Sequence, residues 1–417
     1  MSTENLNLAD EPSLFWHDGL NPADYLTAVY VVETRHNPNS GAAAIALEQS
    51  VSGLFDPFDG GLDQTARTGR VRDVVVLGQT EGEVCPPYRL NTAVYQAETE
   101  KQGPLLSARI EIAFPLINLG SGVVSLLNSV YGEVPRLGIF TAARLEELHL
   151  PEGYLAGFPG PRYGVEGLRE KWRVRDRPFL CRAARPAVGV SDSVSARVFG
   201  EVLRGGFDFV KDDELTTDGN PAAMAGRLRA VLPALAEAQK ETGEAKGYIV
   251  NLIDDPEASW RRLAIAEREG AHGILVAPGL QGLGFLKELR KRSELMVLAH
   301  NTGLDGETRP PRWGVHPAVH ILLQRLCGAD MVMMPGATAT PYQDRKEVAR
   351  CLAACFEPLS SIARTLPVIA GGKKPDEMAG YLSDMGGADF CAIVATSVDS
   401  HPEGLRAGAA AFRKVTG

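Results

Sequence analysis

Apolar runs alternate with stretches of helical spacing through the second half of the chain. Short apolar runs separated by helices are typical of buried parallel strands, and eight such repeats are typical of a (β/α)8 barrel, the TIM barrel. A doubly wound open sheet is the alternative, which the lack of a GxGxxG motif after the first strand weakens. We predict barrel strands at 179–184, 207–210, 247–250, 273–276, 295–299, 330–333, 368–369 and 390–394, and helices at 221–240, 256–269, 346–355 and 403–414.

Residues before 148 show a different pattern, in which apolar and polar side chains alternate. This alternation predicts half-buried antiparallel strands, here in the segments YLTAVYVVET, VRDVVVLG, YRLNTAVYQAE and LSARIEIAFP, with helices at 42–52 and 123–131. We therefore expect an α/β protein with an N-terminal α+β domain of ferredoxin-like type at 1–148 and the barrel at 149–417. The Pro- and Gly-rich passage 151–164 is predicted to be the linker or a crossing loop.

Composition and charge narrow the classes of function. The 417 residues are enough for two domains. The net charge of -9 argues against nucleic acid or an anionic membrane as the partner. The polar start MSTENLNLADEPS does not resemble a signal peptide, no apolar run approaches the length of a bilayer span, and the cysteines form no CxxC pair. We expect a cytoplasmic protein.

Polar and charged residues follow most of the predicted strands. In a (β/α)8 barrel the active site lies at the carboxyl ends of the strands, so these positions become candidates. They are Arg185 after strand one, Lys211, Asp212, Asp213 and Glu214 after strand two, Asn251 after strand three, His300 and Asn301 after strand five, Gly371, Gly372, Lys373 and Lys374 after strand seven, and Thr396 and Ser397 after strand eight.

The cluster after strand two carries the strongest chemical signal. Three consecutive acids repel one another and need a compensating cation. Because alternate residues of an extended segment point the same way, Lys211 and Asp213 are predicted to face one centre, with Glu214 joining where the chain turns. Oxygen ligands of this kind suit Mg2+. A solvated run of charges at a helix start is the alternative.

The flanks of this cluster resemble a known family. The segments LRGGFDFVKDDELTTDGNP, QKETGEAKGYIVN, RLEELHLPEGYLAGFPGPRYG and SHPEGLRAGA resemble the large subunit of RuBisCO and the RuBisCO-like proteins. The resemblance implies that Lys211 reacts with CO2 to form a carbamate, that Lys211, Asp213 and Glu214 bind Mg2+, and that His300 is a site histidine. It also implies a homodimer with the site at the subunit interface, where Gln49 (or Glu48) and Ser121 fall near first-domain positions of the family's site.

The chain departs from RuBisCO at the positions that move protons and hold phosphate. Arg185 and Ala187 stand where the family has two lysines, and the stretch PGATATPYQDR after strand six contains no lysine. Arginine stays protonated and is a poor base, although it binds carboxylates and enolate oxygens well. Asn301 replaces an arginine, while Thr396 and Ser397 replace a Gly-rich phosphate loop.

One predicted anion site remains after strand seven. Gly371 and Gly372 resemble the family's phosphate-binding turn, and Lys373 adds positive charge, although an ordinary turn with solvent lysines is the alternative. Arg309 and Arg312 lie in the insert TGLDGETRPPRWGVHP, either as substitutes for the lost phosphate contacts or as loop charges.

The resemblance and the departures together predict a Mg2+-dependent RuBisCO-like enzyme that forms a metal-bound enolate from a phosphorylated sugar or keto sugar acid. Decarboxylation makes an enolate without a base, so we favour a lyase, a 3-oxo sugar-acid phosphate decarboxylase of the 3-oxo-isoapionate-4-phosphate type. The expected catalytic residues are Lys211, His300 and Arg185. An enolase or isomerase of a methylthio-ketose phosphate, which needs a base such as His300 or another lysine, and a non-catalytic binding protein are the alternatives. A true ribulose-bisphosphate carboxylase is the least favoured.

Overall fold

A computed structural model of the protein describes residues 8–53, 63–84, 103–334 and 344–417. The chain forms two compact units. The first contains Met1–Gly157 together with Gly306–His320, and the second contains Phe158–Asp305 and Ile321–Gly417. Among the helices of the described ranges, none has the length and hydrophobicity needed to cross a membrane.

The first unit is built on a mixed sheet. Its main strands are β1 (Tyr25–Thr34), β2 (Arg70–Gln79), β3 (Leu106–Pro115) and β4 (Ala142–His149), and its main helices are α1 (Pro38–Glu48) and α2 (Val123–Tyr131). The strands lie in the order β4-β1-β3-β2 with antiparallel pairing, and the connection order β-α-β-β-α-β is that of a ferredoxin-like domain. The predicted α+β fold is therefore confirmed.

Details of this unit differ from the pattern-based expectation. The strand β4 was not predicted, and neither was the two-residue strand Gly314–Val315, which pairs in parallel with β4. Helix α1 begins earlier than expected because Asn37 caps it through the backbone N–H of Asn39, and Pro38 opens the first turn. The predicted strand YRLNTAVYQAE lies outside the described residues.

The second unit is a closed barrel of eight parallel strands, as predicted. The strands follow one another around the barrel in chain order, and the eighth closes it by pairing with the first, with Cys391 opposite Phe179. In chain order they are Phe179–Ala183, Phe209–Lys211, Gly247–Asn251, Gly273–Val276, Met296–Ala299, Met331–Met333, Leu366–Ile369 and Cys391–Ile393.

The helices after residue 150 lie close to the predicted windows. The helix Pro221–Thr242 begins where Asn220 accepts from the backbone N–H of Ala222, and it ends at Gly243, whose φ of 70° favours glycine. The helices of this part of the chain are Glu152–Leu155, Gly164–Trp172, Asp192–Arg204, Pro221–Thr242, Pro256–Glu269, Pro278–Gln281, Leu283–Arg292, Asp305–Thr308, Pro317–Leu326, Arg345–Phe356, Met378–Asp384, Thr396–Asp399 and Leu405–Thr416.

The barrel interior is filled by apolar side chains, and one buried ion pair lies beside the amino ends of the first two strands. Phe179, Phe209 and neighbouring aliphatic residues form the core. Arg177 makes two hydrogen bonds to Asp208, at 2.7 and 2.6 Å, and Asp208 also accepts from the backbone N–H of Leu180 at 2.9 Å. This pair therefore connects the segments that begin both strands.

We expect Asp208→Ala to lower the free energy of unfolding by about 3–5 kcal/mol, because it leaves the buried Arg177 guanidinium unpaired. Urea denaturation of the variant and the wild type measures the difference. The control is Glu257→Ala, which removes an ion pair between Arg261 and Glu257, whose side chains are 61% and 83% exposed. We expect that change to move the midpoint little. Equal losses in the two variants would contradict a special role for the buried pair.

Candidate active site at the carboxyl ends of the barrel strands

The carboxyl ends of the barrel strands surround a cavity of about 200 Å3. Nine of the predicted site residues line it, whereas Asp213 and Asn301 are not among the lining residues. The nine are Arg185, Lys211, Glu214, His300, Gly371, Gly372, Lys373, Thr396 and Ser397.

Lys211, Glu214 and His300 form a contiguous cluster in this cavity. Lys211 is only 1% exposed. Its ammonium donates to the backbone carbonyl of Asp212 at 2.8 Å and lies 3.4 Å from Oε2 of Glu214. The same carboxylate oxygen is 3.6 Å from Nε2 of His300. Burial alone would raise the pKa of Glu214, but Lys211 and His300 hold that pKa below its ordinary value.

The two aspartates that follow Lys211 have different surroundings. Asp212 is fully buried and accepts hydrogen bonds from Arg227 at 3.1 and 3.0 Å, from the Tyr248 hydroxyl at 2.6 Å and from the backbone N–H of Asn251 at 3.1 Å. Burial by itself would lower the pKa of Arg227, but the charge of Asp212 and other acidic neighbours hold it above its ordinary value. Asp212 is thus a structural group whose hydrogen bonds are satisfied.

Asp213 retains an unsatisfied oxygen. Its Oδ1 accepts from the backbone N–H of Leu215 at 3.1 Å, but its buried Oδ2 accepts no hydrogen bond in the described part of the chain. Arg185 reaches this oxygen only as an ion pair, with Nε at 3.3 Å. A buried carboxylate oxygen without a partner is costly unless a ligand satisfies it.

These residues fit a Mg2+ site if Lys211 carries a carbamate. Among the described residues, no three His, Cys, Asp or Glu side chains are grouped to hold a metal ion. The free oxygen of Asp213 and the carboxylate of Glu214 are suitable ligands. A carbamate on Lys211 would supply a third, because it replaces an ammonium that repels the metal with an anionic oxygen.

His300 is held as a neutral imidazole with a defined tautomer. The backbone N–H of Thr302 donates to its Nδ1 at 3.2 Å, and the Thr302 hydroxyl, which can also donate, lies 2.7 Å from the same atom. Both contacts are satisfied when Nδ1 accepts and Nε2 carries the hydrogen of the neutral ring. Burial, together with the charge of Lys211, lowers the pKa of His300 to about 4, although Glu214 opposes this shift. The ring edge near Glu214 is therefore a hydrogen-bond donor rather than a base.

The turn after strand seven presents backbone to the cavity. Gly371 and Gly372 have left-handed φ values of 78° and 57°, and a Cβ at either position would meet no atom within 4 Å. The space beside the turn can therefore accept a ligand oxygen. Thr396 and Ser397 begin the short helix after strand eight, and the Ser397 hydroxyl donates to the carbonyl of Lys373. The two segments are thereby joined on one side of the cavity.

Supporting contacts that sequence reasoning missed hold the loops in place. Arg182, which is 2% exposed, binds Asp399 with Nη2–Oδ1 at 2.8 Å and donates to the carbonyl of Arg185 at 3.3 Å. This interaction connects the end of strand one to the helix after strand eight. The side-chain amide of Asn251 donates to the carbonyl of Glu214 at 3.1 Å, which gives this predicted candidate a positioning role.

Two other candidate residues, Asn301 and Arg312, have partners of their own, and one candidate segment lies largely outside the described residues. The amide of Asn301 donates to Asp305 at 3.0 Å. Arg312 forms an ion pair with Glu33 within the first unit. Of the segment PGATATPYQDR, residues 335–343 lie outside the described ranges.

The chain is similar to known proteins along most of its length. Residues 164–416 match the family described as ribulose bisphosphate carboxylase large chain, catalytic domain. Over 396 residues the chain is 33% identical to ribulose bisphosphate carboxylase-like protein 2 of Rhodopseudomonas palustris, covering 94% of this chain and 88% of that protein. Over 395 residues it is 28% identical to a 3-oxo-isoapionate-4-phosphate decarboxylase of Rhizobium rhizogenes, covering 93% of this chain and 91% of that protein. Among solved structures, the octameric ribulose-1,5-bisphosphate carboxylase/oxygenase of Pyrococcus horikoshii matches with a TM-score of 0.83 at 26% sequence identity. The match covers 97% of this chain and 90% of that chain.

The contrast between the two aspartates generates a prediction. We expect Asp213→Asn to lose Mg2+ affinity in the presence of bicarbonate while the metal-free protein stays as stable as the wild type, because the replaced oxygen accepts no hydrogen bond. Asp212→Asn is the matched variant, and it should lower the melting temperature because it removes one of the two carboxylates that pair with the buried Arg227, the other being Asp218. Calorimetric Mg2+ titration and melting in a chelator measure the two effects. Unchanged Mg2+ binding by Asp213→Asn would count against the metal site.

Proposed function

Because the chain belongs to the RuBisCO large-chain family, we propose that it is a Mg2+-dependent lyase that decarboxylates a phosphorylated 3-oxo sugar acid through an enolate. The observation that carries this proposal is the position of Arg185, whose Nε lies 3.3 Å from Asp213 beside the predicted metal ligands. A permanently protonated group at this place can bind an anionic carboxylate or enolate oxygen, but it cannot remove a proton.

The proposed metal centre consists of Lys211 as its carbamate, Asp213 and Glu214. Bound Mg2+ would polarise the substrate carbonyl and stabilise the negative charge of the enolate. Around it, Arg185 would orient the carboxylate that leaves as CO2. His300, whose Nε2 carries hydrogen, would donate to a substrate oxygen. These roles require no protein base for carbon–carbon bond cleavage.

The substrate phosphate would be held by the segments that follow strands seven and eight, which line the same cavity as Lys211 and Glu214. The backbone N–H groups around Gly371 and Gly372 and the hydroxyls of Thr396 and Ser397 are the proposed contacts, and the Lys373 ammonium adds positive charge to the same cavity. A single phosphate suits this set, because strand seven is followed by a glycine turn whereas strand eight is followed by Thr396 and Ser397. Asn301, which donates to Asp305, remains a proposed contact only if it exchanges that partner for substrate.

The alternatives are less well supported. An enolase or isomerase must remove a proton from carbon, and neither Arg185 nor the hydrogen-bearing Nε2 of His300 is suited to do so. A non-catalytic binding protein would have no use for the unsatisfied oxygen of Asp213. A true carboxylase would need the two lysines that the family has at the positions of Arg185 and Ala187, and this chain has neither.

Self-association belongs to the same proposal. The Pyrococcus horikoshii relative is octameric, and we propose that this chain forms at least a homodimer with the site at the interface. Gln49 is a first-domain residue that the resemblance assigns to that interface site. Its side chain is 8% exposed and accepts from the backbone N–H of Glu133 at 3.2 Å.

Lys211 provides the first test of the proposed metal centre. We expect Lys211→Ala and Lys211→Arg to lose Mg2+-dependent activity, since neither side chain can form a carbamate. With 13C-labelled bicarbonate and Mg2+, the wild type should give a carbamate signal in the 13C NMR spectrum that both variants lack. Lys374→Ala, which alters an exposed lysine, is the control. Full activity of Lys211→Ala would refute the role of this residue.

The reaction itself is tested with substrates. We expect 3-oxo sugar-acid monophosphates to raise the melting temperature when Mg2+ and bicarbonate are present. Those that bind and carry a 14C-labelled carboxyl group should release labelled CO2. Ribulose 1,5-bisphosphate supplied with labelled CO2 is the opposing assay. Clear fixation of the label there, without release in the first assay, would replace the decarboxylase proposal with carboxylation.

A further inference from the structure

Decarboxylation leaves an enolate whose carbon must receive a proton, and the proposed function assigns no group to that step. Resting on that function, we infer that Lys373 is the proton donor, which transfers an ammonium proton to the enolate carbon from which CO2 has left. This role differs from the phosphate contact predicted from the position of Lys373 after the two glycines.

The two neighbouring lysines of the turn are not equivalent. Lys373 is 1% exposed and lines the cavity together with Lys211 and His300. Lys374 has a side chain that is 62% exposed, and its ammonium lies 3.6 Å from Glu377. A buried lysine that lines the cavity is placed to act on a bound substrate, whereas its neighbour has the surroundings of a surface residue.

The surroundings of Lys373 hold it in place without neutralising it. Its Nζ lies 4.8 Å from the centre of the Tyr381 ring, a distance suited to a cation–π contact. Its backbone carbonyl accepts from Ser397, which anchors the start of the side chain. Within the described residues no carboxylate forms an ion pair with Lys373, since Glu377 is engaged by Lys374 and by the Tyr381 hydroxyl.

Burial lowers the pKa of Lys373 to about 8, and the charge of Glu377 opposes this shift. The group therefore carries its proton at neutral pH but releases it more readily than an ordinary lysine, which is the property of an efficient general acid. The other titratable groups around it are Tyr381 on its own segment and the cavity groups Lys211, Glu214, His300 and Arg185.

The alternatives in the cavity are poorer donors. Arg185 holds its protons too tightly, and Lys211 is assigned to the carbamate. His300, whose Nε2 lies 3.6 Å from Glu214, is assigned to a substrate oxygen. The glycine turn already provides backbone groups for an anion, so phosphate binding does not require the buried ammonium.

The proposed step is balanced. The bond between the carboxyl carbon and the adjacent carbon breaks, its electron pair remains as the enolate, and CO2 leaves. The enolate carbon then forms a C–H bond with the proton of the Lys373 ammonium, which becomes a neutral amine. Solvent returns the proton after the product leaves, and no oxidant or reductant takes part.

The test compares Lys373→Met with Lys374→Met, using a 3-oxo sugar-acid monophosphate that the wild type decarboxylates. We expect kcat to fall about 100-fold or more in Lys373→Met, with KM little changed, and both constants to stay near the wild-type values in Lys374→Met. Wild-type kcat should also decline as the pH rises through about 8, because the ammonium is lost, and this decline should be absent in Lys373→Met.

Stereochemistry in D2O separates proton donation from phosphate binding. The wild type should place deuterium on one face of the product carbon. Residual turnover by Lys373→Met should place it on both faces, because solvent protonates the enolate. A variant with a raised KM, an unchanged kcat and deuterium on one face would overturn the inference and leave Lys373 as a phosphate contact.

A substrate-free measurement distinguishes this inference from the proposed function. In protein labelled with 13C at the lysine ε carbon, the signal absent from Lys373→Arg should titrate near pH 8. An ordinary lysine titration would overturn proton donation whatever the substrate. Failure of the wild type to release CO2 from any 3-oxo acid would instead overturn the decarboxylase on which the inference rests.

Discussion

The burial of consecutive charged residues at the end of the second barrel strand is the constraint on which the site depends. Lys211, Asp212 and Asp213 are each no more than 1% exposed. Ionised groups cannot be buried together unless each has a partner. Asp212 obtains its partners from Arg227 and Tyr248, outside the cavity. Lys211 and Asp213 are only partly satisfied by protein, and this remaining demand is what a metal ion and a carbamate would meet.

The positions that surround this cluster divide into groups that stabilise negative charge and groups that hold loops. Arg185 and the turn at Gly371 belong to the first kind. Arg182 and Asn251 belong to the second. They donate to backbone carbonyls, and Arg182 also binds Asp399, so their polar groups hold the chain rather than a ligand. The cavity therefore combines a region suited to oxyanions with a frame that keeps the ends of strands one, two, three and eight in register.

The barrel was predictable because burial on both faces leaves apolar runs that stand out between helices. The strand β4 was missed because the segment AARLEELH contains charges that look like a connecting segment, although Arg144 pairs with Glu146 at 3.2 Å and is buried. The strand Gly314–Val315 is two residues long and exists only through its pairing with β4, so no local pattern could indicate it. The ion pair of Arg182 and Asp399 spans most of the barrel sequence and carries no local signal either.

The site shows the same division between local pattern and tertiary contact. Position after a strand selected nine of the residues that line the cavity, since parallel strands of a barrel end on one face. It was not enough to separate Asp212 from Asp213, or Lys373 from Lys374, because adjacent residues of one turn differ only in which neighbours they meet. Alternation along the strand and the packing of Tyr381 make those distinctions. A pattern of charges in the sequence can therefore indicate a candidate site, whereas the proposed proton donor is distinguished from its neighbour only by its burial.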